Sequence, residues 1–206
     1  MPVLCSLLVG CRDAKICVAL PRDRSMRTEY DERNMTNAFD EARTRLIGES
    51  TDRDWYDLWP RVTSARAELL QALEGVTEEI AARRPGEGEG EAAWSIAEVV
   101  RHALMYTRNV RTIIEETSRG RPALKDARGL LLNDAGATFV GLRRQLIAES
   151  VSLAGLPELL PEPPDVNVTV GHAVLGQLNC RAWYLFLTLH DSDHTRQVGA
   201  LREMGT

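Results

Sequence analysis

Apolar residues recur at intervals of three and four along most of this chain, and that period leaves little room for any architecture but packed helices. In the first stretch Val62, Ala65, Leu69, Leu73, Val76 and Ile80 are separated by 3, 4, 4, 3 and 4 residues. This predicts one helix from about Leu58, with Pro60 in its first turn and Pro85-Gly86 as its stop. A short acidic, glycine-rich loop follows over Glu87 to Glu91. A second stripe runs through Ile96, Val99, Val100, Ala103, Leu104, Val110, Ile113 and Ile114. Ser95 with Glu98 three positions later is a capping box, so Ser95 is the expected N-cap. Gly120 and Pro122 end that helix. A third stripe holds Phe139, Leu142, Leu146, Ile147 and Leu153.

The long link from Gly155 to Gly176 carries four prolines, and the alternation of Val166, Val168 and Val170 suggests a short extended piece within it. A fourth helix is expected from about Gln177 to Glu203, with Trp183, Phe186, Leu187, Val198 and Leu201 on its inner face. Four such helices with one long late connection read as an all-α four-helix bundle.

The N-terminal part follows no such period. Residues 1–50 are expected to form a loosely structured, partly disordered extension, and residues 51–206 the bundle domain. The first twenty residues resemble a signal peptide only superficially, because no Lys or Arg precedes the apolar stretch and Arg12, Asp13 and Lys15 interrupt it. The expected location is therefore the cytoplasm, with reduced thiols. Cys5, Cys11 and Cys17 are six residues apart, which is neither a metal-binding spacing nor one helix face. No apolar run reaches the roughly 18 residues that a membrane helix needs, so no membrane partner is expected. A net charge of −5 argues against nucleic acid as a partner.

The chemistry is concentrated on the fourth stripe. It continues as His190, His194, Gln197, Val198 and Leu201. His190 and His194 are four apart, so their rings lie one above the other on a helix. Two imidazoles at fixed separation are half of a metal site, and His102 on the second helix is the natural third ligand. Three protein ligands leave an open coordination position, the pattern of catalytic rather than structural sites. The same histidines also fit a plain reading as core residues with hydrogen-bond partners. Glu98, Asp193 and Gln197 are the candidates for orienting ligands or moving protons, and Asp191 also flanks the pair. The capping box alone would account for Glu98. Cys180 is a lone thiol expected to be buried. No phosphate-binding glycine loop or serine-nucleophile motif is present.

Three motifs resemble those of the DinB/YfiT-like superfamily. Trp94-Ser95-Ile96-Ala97-Glu98-Val99-Val100-Arg101-His102 is similar to that family's W-S-x-x-E-x-x-x-H opening of helix two. His172-Ala173-Val174-Leu175-Gly176-Gln177-Leu178-Asn179 resembles its H-P-x-x-G-x-L-N lead-in to the last helix, with Ala173 in place of the proline. His190, His194 and Gln197 resemble its closing H-x-x-x-H-x-x-Q. The resemblance spans Leu58 to Met204. It implies a bundle that binds a divalent metal through His102, His190 and His194, with Zn²⁺ favoured and Ni²⁺ or Fe²⁺ as alternatives. It also implies chemistry on a small-molecule substrate, either thiol-dependent transfer or isomerisation with a low-molecular-weight thiol, or hydrolysis. The other reading is a non-catalytic binding protein in which the site is structural or degenerate. A homodimer is compatible with either.

Overall fold

In a computed structural model the described residues are 40–86, 93–123 and 137–204. The three N-terminal cysteines and the acidic loop at 87–91 lie outside them. Residues 40–51 form a helix, α1, and its Leu46 is buried in the same apolar cluster as Trp55 and Leu58. The folded unit therefore takes in residues that the sequence reading placed in the extension.

Helix α2 spans Trp55–Ala72 and starts at Asp54, whose carboxylate accepts from the Asp57 N–H at 2.8 Å. Pro60 consequently sits inside the helix rather than in its first turn. The expected continuous helix to Pro85 is broken. Leu73 ends α2, Gly75 turns the chain at φ +73°, and Thr77 caps a new short helix, α3, at Glu78–Ala82. A positive φ is cheap only for glycine, so Gly75 overrides a stripe that would otherwise have run on. Glu78 then serves another element, accepting from Phe139 and Val140 N–H at 2.9 and 3.0 Å. That satisfies two orphan donors at the start of a later helix.

Helix α4 spans Ile96–Thr117 behind the complete Ser95/Glu98 capping box. Helix α5 spans Phe139–Ala154, with Thr138 as N-cap. A 3-10 turn at Leu156–Leu159 leads into an antiparallel hairpin of β1, Thr169–His172, and β2, Gly176–Asn179. Only Val170 of the three alternating valines lies in a strand. Helix α6 spans Cys180–Glu203, and Asn179 caps it by accepting from Ala182 N–H at 2.9 Å. The H-A-V-L-G-Q-L-N stretch is thus a hairpin that delivers the N-cap of the last helix. Its His172 Nδ1 accepts the N–H groups of Val174 and Leu175, both at 3.1 Å, closing the hairpin turn.

The bundle comprises α2, α4, α5 and α6. Helices α2 and α6 run in the same direction. Trp55 meets Tyr184 near their starts, and Arg202 reaches the Ala72 carbonyl at their ends. The other two run opposite to them. His102 lies against His194, whereas Tyr106, one turn later, lies against Phe186, so α4 opposes α6. Trp59 donates to the Ala154 carbonyl, placing the start of α2 beside the end of α5. Around the bundle the order is α2, α6, α4, α5. The core falls into two apolar clusters. One gathers Trp55, Leu58, Ile114, Tyr184 and Phe186 with the hairpin, and the other gathers Leu69, Leu73, Val99, Leu104, Phe139 and Val198. Between them, at mid-bundle, sit Arg66, Thr107, Asp191, His190 and His194, all buried. No helix among the described residues is long and apolar enough to cross a membrane.

Candidate metal centre

The inner stripe of α6 changes from apolar to imidazole halfway along the helix. Its four-residue spacing stacks His190 and His194 on one face, and antiparallel α4 brings His102 against both. The result is three ring nitrogens, one from each histidine, all within 4.8 Å of one another. His102 Nε2 and His190 Nε2 are 3.2 Å apart. Zinc–imidazole bonds of about 2.0–2.1 Å in a tetrahedron separate ligand nitrogens by about 3.3 Å. His194 Nε2 is buried and makes no hydrogen bond. An orphaned buried nitrogen is rare unless something outside the chain satisfies it. The donor set therefore fits a divalent cation with a preference for imidazole.

The rings are held neutral. Burial pushes His102 down to about 2, and the neighbouring His190 and His194 add to the effect. Burial likewise takes His190 to about 4, reinforced by His194 and opposed by Asp191. His194 is also lowered, chiefly by burial. Neutral imidazole is the form that ligates a metal.

Each α6 histidine has a partner on its other nitrogen. His190 Nδ1 is 3.3 Å from Asp191 Oδ1, and His194 Nδ1 is 2.9 Å from Gln197 Oε1. Asp191 is fully buried and bound by Arg66, with Nε to Oδ2 at 2.7 Å and Nη2 to Oδ1 at 3.1 Å. Burial alone would raise the Asp191 pKa, but the Arg66 charge and the His190 contact outweigh it and hold it below the usual carboxylate value. Aromatic rings enclose the histidines. Tyr106 stacks on His190 at 4.3 Å between centroids, and Trp94 lies 4.9 Å from His102.

The other expected participants fare differently. Gln197 is in contact with a candidate ligand. Asp193 accepts from Arg196 Nη2 at 3.0 Å. Glu98 lies one turn before His102, yet one of its oxygens bonds Ser95 and the other bonds Arg84. The capping role accounts for it. His172 is not in the cluster, because its Nδ1 is committed to the hairpin turn. Cys180 is buried as expected, and burial raises its thiol to about 11. Arg66 is the residue that sequence reasoning passed over. The signal was legible, since it sits four after Val62 and three before Leu69, a charge set inside the apolar stripe.

Residues 61–198, more than half of the chain, match the family model described as the DinB superfamily. The chain belongs to that superfamily. Comparisons with curated proteins and with solved structures give no match.

Proposed function

We propose that this member of the DinB superfamily is a metal-dependent enzyme acting on a small molecule, with His102, His190 and His194 holding one divalent ion, Zn²⁺ by preference. The observation that carries this reading is the convergence of three neutral ring nitrogens from two helices, one of them buried without a partner. When bound, such an ion lowers the pKa of a thiol or water at its open position and makes a nucleophile available near neutral pH. The chain's own groups bind and orient. Asp191 and Gln197 fix the two α6 rings, while Tyr106 and Trp94 wall the site with flat apolar surface. Thiol-dependent transfer or isomerisation is preferred to hydrolysis by analogy with the superfamily.

The test is metal content by mass spectrometry, on wild type and on a His190→Ala/His194→Ala variant after Zn²⁺ loading. One ion per wild-type chain, lost in the variant, is the expected result. A loaded wild type would then be screened with low-molecular-weight thiols and electrophilic substrates. No stoichiometric ion in the wild type would overturn the proposal. A stoichiometric ion with no turnover in the screen would favour a binding protein instead.

A further inference from the structure

Arg66 is 3% exposed, and its guanidinium reaches each of the other three bundle helices. It bonds Asp191 on α6 through both carboxylate oxygens, Thr107 on α4 at 2.7 Å and Ser150 on α5 at 3.3 Å. A buried ion pair is a poor source of stability, because apolar residues of similar volume do as well or better. This pair does have a third contact, from Asp191 Oδ1 to His190 Nδ1 at 3.3 Å. We infer that Arg66 and Asp191 are positioning residues of the metal centre, with Arg66 acting through Asp191 to fix the His190 ring; this rests on the three-histidine reading above.

An ionised carboxylate can only accept, so His190 must carry its hydrogen on Nδ1. Its Nε2 is left bare and directed at the other two histidines. Arg66 occupies both oxygens of Asp191, which keeps the carboxylate charged and stops it from swinging round to take the ion itself. Gln197 Oε1 does the same for His194, whose Nε2 is likewise bare. His102 differs. Its Nε2 lies 3.2 Å from a His190 Nε2 that has no hydrogen, so the hydrogen between them belongs to His102. Helix α6 thus presents two ligands ready to bind, and the α4 ligand must shift its proton from Nε2 to Nδ1 before it can join them.

Nitrogen-15 NMR of the histidine rings tests this directly. Metal-free wild type should show His190 protonated at Nδ1 and His102 at Nε2. On Zn²⁺ addition His102 should switch to Nδ1 and His190 should not. The same experiment needs two variants, with Zn²⁺ affinity measured by competition with a chelator. Arg66→Met/Asp191→Leu removes both buried charges together and should fold, yet bind Zn²⁺ about 10- to 100-fold more weakly. Asp191→Asn keeps the shape and one acceptor and should lose less. His190 protonated at Nε2 in the metal-free wild type would overturn the inference, as would a folded double variant with unchanged Zn²⁺ affinity. If the double variant does not fold, the wild-type ring spectrum and Asp191→Asn decide, and an Asp191→Asn affinity equal to wild type overturns it. A wild type that binds no Zn²⁺ refutes the metal reading, while its metal-free ring spectrum still judges the positioning of His190.

Discussion

Glu98 and Asp191 are both carboxylates close in sequence to a site histidine, and the fold gives them opposite work. Glu98 faces the helix N-terminus and Arg84, where it satisfies the orphan Ser95 N–H. Asp191 faces inward, fully buried, where only an ion pair makes its charge tolerable. The sequence reading named Glu98 among the candidates and only noted that Asp191 flanks the pair, although both carboxylates lie within a turn of a histidine. What separated them is the partner each meets across the bundle. Glu98→Gln should therefore leave metal content and turnover unchanged, because glutamine also completes a capping box. It should cost less than about 1 kcal/mol in urea unfolding, as expected for a part-exposed ion pair. A fall in turnover with metal content intact would return Glu98 to the catalytic site. Arg66 teaches the converse lesson. A charge in an apolar stripe marks a buried polar contact, but its partner lies 125 residues away and no local pattern names it.

Among the elements, the hairpin shows how a motif can look chemical and be structural. His172 belongs to the stretch that resembles the superfamily, yet its Nδ1 holds the Val174 and Leu175 N–H groups. The hairpin in turn places Asn179 at the start of α6, and the start of α6 sets where His190 and His194 fall. His172→Ala should leave two donors short of a partner and cost about 1–3 kcal/mol in chemical denaturation. Metal stoichiometry should remain one per chain. Loss of the ion in a folded His172→Ala protein would place this ring at the site after all. Helix starts were legible at Ser95 because capping chemistry is local. The break at Gly75 was not, because the apolar period continues across it and only the turn reveals that the backbone reverses.

At the scale of the whole molecule, a polar layer divides two apolar clusters, and burial lowers the pKa of each of the three site histidines. His172 adds a fourth neutral ring, lowered to about 4 by burial with a contribution from His190. His102, lowered to about 2, and His190, lowered to about 4, share its behaviour. At pH 5.5 these rings are neutral in the fold but mostly protonated in the unfolded chain. Protons thus favour unfolding, and stability is present above about pH 6.5 and lost as pH falls toward 4. With three such rings, the metal-free protein should lose on the order of a few kcal/mol between neutral pH and pH 5.5, since pH 5.5 lies about one pH unit below the ordinary imidazole value that each ring regains on unfolding. Urea midpoints across that range measure it, and a flat profile would mean that the rings are hydrated and titrate normally. The sequence by itself determined the four bundle helices, the Ser95 cap and the inner face carrying His190 and His194, because period and capping act within a few residues. It also put His102 on the second helix as the natural third ligand. Only the tertiary structure decided the helix order, the parallel run of α2 and α6, and the meeting of Arg66, Asp191 and His190. Those depend on which faces bury together, and burial is a property of the packed chain rather than of any segment.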